Sequence, residues 1–186
     1  MFKIFYPCEY VESVFSIDYN KLYNKGYRGI IFDIDNTLVP HGNDSTQEID
    51  ELFTEIHNLG LKTLLLSNNG EKRIKKFNEN INSLYICNSD KPKVGNYLKA
   101  IEMLNIKKEE AIFIGDQIFT DILGANRSRI DNILVKYIGY YKKEKKGIRR
   151  NIEKIILKFY ALNKNYKNRI GDIQKKEDNR DVVEKR

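Results

Sequence analysis

Two aspartates, Asp33 and Asp35, stand two residues apart where an apolar run, Gly29-Ile30-Ile31-Phe32, gives way to Asn36 and Thr37. A carboxylate at such a point is a competent nucleophile toward phosphorus, and an aspartyl-phosphate would split one hard hydrolysis into two easier steps. The second carboxyl, displaced along the loop, has the chemistry to protonate a leaving alkoxide and later to take a proton from the attacking water. Crowded carboxylates repel one another and repel a phosphate dianion, so the scheme needs a cation. Asp116 and Asp121 add two further acidic side chains, and hard oxygen donors suit magnesium. Lys91 and Ser67 are placed to grip the non-bridging oxygens of a phosphate.

The elements that must position these residues are legible as apolar runs. Gly29–Phe32, Thr63–Leu66, Leu84–Cys87, Ala111–Ile114 and Asn132–Val135 read as strands. Helical patterns lie between them at 45–59, 71–79, 94–104 and 118–126, the first opening on Ser45-Thr46-Gln47-Glu48 and closing at Gly60. Alternating units with continuously apolar strands predict an α/β fold, a parallel central sheet covered by helices on both faces. In such sheets ligands sit beyond the carboxyl ends of the strands. Asp33, Asp35, Ser67, the Lys91 loop and Asp116 all fall at such ends.

In order along the chain, Asp33-Ile34-Asp35-Asn36-Thr37, Ser67-Asn68-Asn69, Lys91-Pro92 and Gly115-Asp116-Gln117 with Asp121 resemble the four motifs of haloacid dehalogenase (HAD) phosphatases. The longer stretches Asp33–Pro40 and Gly115–Arg127, with the lead-in from Pro7 to Leu22, are similar to the YqeG branch of the capless, class III members. The likeness spans roughly residues 1–165. That branch is related to phosphatidylglycerophosphate phosphatases. The resemblance implies a three-layer Rossmann-like HAD fold, Asp33 as nucleophile and Asp35 as general acid/base. It implies magnesium held by Asp33, the Asp35 backbone carbonyl and Asp116, with Asp121 assisting. It also implies phosphate bound by Ser67, with Asn68 beside it, and by Lys91. Lys93 is the alternative to Lys91, which has the Lys-Pro position. Ala125, where the branch more often has a second glycine, is a small departure. Only 29 residues separate Thr37 from Ser67 and 23 separate Ser67 from Lys91. Neither gap has room for a cap, so an open site is expected, suited to a phosphate on something large or membrane-bound.

Plain structural roles compete at several positions. Asp121 could simply favour a helix N-terminus, Ser67 could cap the next helix, and Asn68-Asn69 could be turn residues. His41 and His57 show no partner, and Arg127 reads equally as a substrate contact or a solvated helix end. Cys8 and Cys87 form no metal or redox pattern, which fits incidental thiols in a reducing compartment.

The formal charge of +7 is unevenly placed. Residues 1–138 sum to −2, whereas 139–186 sum to +9, with the excess in 141–170. The expected organisation is a lead-in over 1–27 with a helix near 18–25, a core over 28–140, a basic amphipathic helical segment over 141–170 and a disordered charged tail over 171–186. In the basic segment Ile148, Ile152, Ile155, Phe159 and Leu162 share one face. That face is expected to dock on the sheet, or else to place the lysines against anionic lipid. Nucleic acid is disfavoured, because no aromatic–basic recognition motif is present. No run approaches the ~20 apolar residues of a membrane span and no signal peptide is evident, so a cytoplasmic location, peripheral at the inner membrane face, is expected. The expected activity is hydrolysis of phosphatidylglycerophosphate to phosphatidylglycerol. The alternatives are a phosphatase for a soluble sugar phosphate, a nucleotide or a nucleic-acid end, or a non-catalytic RNA- or ribosome-binding module.

Overall fold

A computed structural model describes residues 3–138 and 148–175 of the chain. The strands are β1 Glu9–Val11, β2 Gly29–Phe32, β3 Lys62–Leu66, β4 Leu84–Ile86, β5 Ala111–Gly115 and β6 Asp131–Val135. They form one sheet in the order β1-β6-β5-β2-β3-β4 with every pair parallel. The chain leaves β2 toward β3 and β4, then returns to the other side of β2 as β5. That reversal is the switch point at which the fold opens a crevice.

The strands are apolar on both sides because both faces are covered. Ile30 and Phe32 face one layer, where they pack with Ile49, Phe53 and Ile56 of α2 (Gln47–Asn58) and Ile74 and Phe77 of α3 (Glu71–Phe77). Ile31, Leu64, Leu66 and Phe113 face the other, against Tyr97, Ile101 and Leu104 of α4 (Val94–Leu104) and Ala125 of α5 (Leu123–Ser128). Local chemistry sets the ends. Thr46 Oγ1 accepts from the Ile49 N–H at 3.4 Å to cap α2, and Gly60, at φ 82°, turns the chain directly into β3. No cap domain interrupts the layers: only α2 with β3, and α3 with β4, fill the two gaps between motifs.

Three sequence expectations change. The lead-in carries the expected helix, α1 (Tyr19–Asn24), capped by Asp18, but it also supplies β1 as an edge strand beyond β6. A three-residue Glu-Tyr-Val run has too little pattern to announce a strand. Residues 171–175 do not begin a disordered tail. Ile173 is buried in the core, its carbonyl accepts from the Asp18 N–H at 2.8 Å, and the Lys175 N–H donates to Ser16 at 2.9 Å. The buried Glu9 carboxylate anchors this strap by accepting from the N–H groups of Ile170 and Gly171. The remainder of that expected tail, 176–186, lies outside the described residues, as do 139–147.

The third change concerns the basic helix, α6 (Ile148–Leu162). It docks through Glu153, Ile156 and Tyr160, against Tyr6, Ile118, Ile122 and Leu134. The stripe that sequence periodicity put inward, Ile148, Ile152, Ile155, Phe159 and Leu162, faces solvent instead. Tyr160 is held edge-on to Tyr6 with ring centres 5.8 Å apart, and Glu153 accepts the Ile118 N–H at 2.9 Å. One hydrogen-bonded carboxylate and two large side chains thus outweigh a longer apolar stripe. No helix among the described residues is long and apolar enough to cross a membrane.

Candidate active site

The strand β2 delivers Asp33 to the crevice with its N–H bonded to the Ile114 carbonyl of β5 at 2.9 Å. The chain then makes one tight turn, with Asn36 at φ 64° and the N–H groups of Thr37 and Leu38 both bonded to the Ile34 carbonyl. The turn brings Thr37 Oγ1 back to donate to Asp33 Oδ2 at 3.1 Å. On the other oxygen, Lys91 Nζ donates to Asp33 Oδ1 at 2.5 Å. Both partners are buried.

Across the crevice, β5 ends at Gly115 and delivers Asp116. A single π-helical turn, Ile118–Ile122, folds Asp121 back so that its Oδ2 accepts the Gln117 N–H at 3.0 Å. Gly115 is required for that fold-back: a Cβ there would stand 2.6 Å from the Asp121 carboxyl. Sequence periodicity reads 118–126 as one regular helix. The π turn, a common device at functional sites, is what turns Asp121 inward. Asp33, Asp116 and Asp121 each bring a carboxylate oxygen within 4.8 Å of the others.

Burial of this cluster is costly unless it is compensated. Desolvation pushes Asp33 up to about 6; Lys91 opposes the rise and the Asp121 carboxylate adds to it. Desolvation likewise pushes Asp116 well above the usual range, reinforced by Asp121 and Asp33 and opposed by Arg150. For Lys91, burial acts to lower the pKa, but the carboxylates of Asp121 and Asp33 override it and keep the ammonium charged. Lys91 is shared by Asp33 and Asp121, and Arg150 by Asp116 and Glu153, so four carboxyl groups rest on two cations. Asp121 Oδ1 lies 2.8 Å from Lys91 Nζ as an ion pair, yet outside hydrogen-bonding geometry. Three buried carboxylates whose oxygens converge within 4.8 Å are a set of hard donors that fits a divalent metal ion.

Asp35 stands apart. Its carboxylate lines the pocket but lies outside the three-carboxylate cluster. It accepts from Asn69 Nδ2 at 2.5 Å and the Gly42 N–H at 3.0 Å, with Arg73 at 3.3 Å and His41 at 3.4 Å. Partial burial acts to raise its pKa, but the Gly42 N–H, Asn69, His41 and Arg73 together hold it below the ordinary value.

The motif-two and motif-three residues meet as the spacing required. Ser67 is buried at the end of β3 and its Oγ accepts from Asn69 N and Nδ2. Asn68 lines the same pocket, but its side-chain oxygen accepts from the Lys91 N–H at 2.9 Å and Ser89 Oγ at 2.8 Å. In this structure it holds the Lys91 loop. Lys91 is the lysine against Asp33; Lys93 is exposed and pairs with Asp90. Arg127 is exposed on α5, and His57 lies against Thr63 at 2.7 Å.

Sequence reasoning missed several contributors. Thr37 and Asn69 stood inside recognised motifs without a role. His41 and Arg73 reach Asp35 from separate segments, and nothing in their local sequence marks them. Arg150 reaches Asp116 from α6: Nη2 donates to Asp116 Oδ2 at 2.5 Å and Nη1 to its backbone oxygen at 3.0 Å, with Glu153 holding the guanidinium. Its only sequence signal was membership in a basic helix.

A switch-point crevice holding a strand-end carboxylate against a buried lysine and two more buried aspartates defines a hydrolase of parallel α/β architecture suited to phosphoryl transfer. A family model described as haloacid dehalogenase-like hydrolase matches residues 42–129. The probable phosphatase YqeG of Bacillus subtilis (strain 168) is 39% identical over 134 residues, covering 72% of this chain and 78% of that protein. The crystal structure of an uncharacterized protein from Listeria monocytogenes serotype 4b shares the fold with a TM-score of 0.51 at 21% identity, over 62% of this chain and 84% of its own. The chain belongs to the haloacid dehalogenase-like hydrolases, within the YqeG family of phosphatases.

Proposed function

We propose that this phosphatase is magnesium-dependent, works through an aspartyl-phosphate on Asp33, and acts on phosphatidylglycerophosphate at the cytoplasmic face of a membrane to give phosphatidylglycerol. The observation that carries the mechanism is Asp33 itself, a buried carboxylate with one oxygen fixed by Lys91 and the other by Thr37. Asp33, Asp116 and Asp121 are the side chains that would hold magnesium, whose charge would balance the cluster and the phosphate oxygens.

In the first step an Asp33 oxygen attacks phosphorus, the ester P–O bond breaks, and the departing alkoxide takes a proton from Asp35. In the second, water attacks the aspartyl-phosphate, Asp35 accepts its proton, and Asp33 leaves as carboxylate. Lys91 and Ser67 hold phosphate oxygens throughout. The contacts of Asp35 favour its carboxylate, the form needed in the second step. To act as acid in the first, it must part from Arg73 and His41 as substrate enters.

Two features support a lipid substrate. Among the described residues no cap covers the site, so a bulky leaving group meets no covering domain there. Asp116 also lines a cavity of about 270 Å³ whose wall includes Tyr10, Ile118, Leu134, Val135 and Leu157, an apolar surface beside the reacting end.

The test is phosphate release from phosphatidylglycerophosphate in mixed vesicles, with magnesium or EDTA, beside a soluble phosphate ester. Release from the lipid that disappears with EDTA and in Asp33→Asn is the expected result. Turnover of the soluble ester alone would discard the lipid and keep the mechanism; full activity in Asp33→Asn would discard the mechanism.

A further inference from the structure

The helix α6 presents three kinds of surface. Its inner side, Glu153, Ile156 and Tyr160, is buried against the core. Near its start, Arg150 is bound to Asp116, so the helix begins beside the active site. Its outer side is a continuous apolar stripe spaced by four, three, four and three residues, the repeat of one helical face. Along it Ile148 is 80% exposed, Ile152 42%, Ile155 54%, Phe159 55% and Leu162 80%. The helix α2 is built the other way: Ile49, Leu52, Phe53 and Ile56 are all inside, and Glu48, Glu51 and Glu55 face water.

Basic residues border the stripe. Lys154 and Lys158 are exposed one turn apart, Arg149 is exposed on the opposite flank, and no carboxylate among the described residues pairs with any of the three. Beyond the helix Lys164 and Lys167 are exposed as well. Residues 148–175 carry eight Lys or Arg against two acidic residues.

We propose that the outer face of α6 is an interfacial docking surface for anionic lipid, with the stripe entering the acyl boundary and the lysines meeting headgroup charge. An apolar face flanked by unpaired lysines is the pattern that binds a negatively charged bilayer surface. The other occupants fit worse. The flanking stretches 139–147 and 176–186 contribute only Tyr140, Tyr141, Val182 and Val183 as large apolar residues, and the first carries four lysines of the same sign. A second copy in two-fold contact would bring Lys154 and Lys158 alongside their own equivalents. Docking gains its purpose from the lipid-phosphatase reading, since it would hold the crevice next to its substrate, but the binding itself does not depend on turnover.

The experiment is flotation of the full chain with phosphatidylcholine vesicles, with or without an equal part of phosphatidylglycerol, beside its rate on a soluble phosphate ester. Wild type is expected to float with the anionic vesicles only and to be released by high salt. A triple variant, Ile155→Ser with Phe159→Ser and Leu162→Ser, should lose binding by roughly tenfold or more. Neutralising Lys158 should cost about fivefold. The soluble-ester rate and thermal midpoint should stay at wild type, because none of these residues touches the site. Flotation that survives the triple variant overturns the proposal. So does wild type that ignores anionic vesicles, whether it binds an RNA oligomer instead or forms a dimer that the triple variant dissolves. A phosphatase inactive on every lipid yet floating as described would keep the docking surface and discard the lipid substrate.

Discussion

The strand-end cluster and the outer face of α6 break the usual rule of burial in opposite directions. At the cluster, three carboxylates and a lysine have been taken out of water. On α6, five large apolar side chains have been left in it. Inside, each charge is answered by a neighbour within a few ångströms, so removing one strands the others. Outside, no residue of the stripe belongs to a buried core cluster, so removing it is expected to cost the fold little. Stability and function are therefore joined at the cluster and separated on the helix.

The largest effect should come from Asp33→Asn. Loss of the proposed nucleophile should lower phosphate release on the order of 10⁴-fold or more, while the amide keeps the shape of the site and the chain still folds. A variant with near-normal rates would mean that the cluster is structural, like any buried ion pair. Next is Lys91→Met, which leaves Asp33 and Asp121 without their shared cation. A loss of about 3–5 kcal/mol in urea unfolding at neutral pH, partly restored by magnesium, is expected; an unchanged midpoint would show that the cluster tolerates its own repulsion.

A third measurement uses pH. Desolvation raises Asp33 from 3.8 to about 6, so in the metal-free protein the native state keeps a proton that the unfolded chain has released. The contribution of Asp33 to stability is then largest below about pH 4 and declines as pH rises toward about 6. Unfolding midpoints of wild type and Asp33→Asn in EDTA across that window should converge or cross with the wild type falling. A constant difference would remove the claim that burial dominates at Asp33. The smallest effect belongs to Phe159→Ser, which should alter the stability of the isolated protein by no more than about 0.5 kcal/mol. A loss of about 3 kcal/mol, the scale of a core aromatic, would mean that something in this chain already covers the stripe.

Much of the candidate site's placement was legible in the residues. Asp33, Ser67, Lys91 and Asp116 each sit where an apolar run stops or a short loop follows, and strand ends in such a sheet converge by geometry. The choice between Lys91 and Lys93 was not decidable from spacing, because only the fold shows which side chain enters the crevice. Asp35 illustrates the same limit. Its place in the motif was plain, but its ties to Asn69, Arg73, Gly42 and His41 arise from three separate segments. Arg150 comes from a comparable distance, 34 residues beyond Asp116.

The amphipathic helices mark the boundary most sharply. For α2, the sequence alone determined both that a stripe existed and that it faced the core, because Thr46, Gly60 and the flanking strands left one way to pack it. For α6 periodicity determined only the stripe. Which side met the protein was decided by Glu153 reaching the Ile118 N–H, Tyr160 meeting Tyr6, and Arg150 reaching Asp116. A hydrophobic pattern is a property of neighbours along the chain, so a sequence records it directly. The choice of partner depends on groups far apart in the chain, and that was decided only once the sheet had assembled.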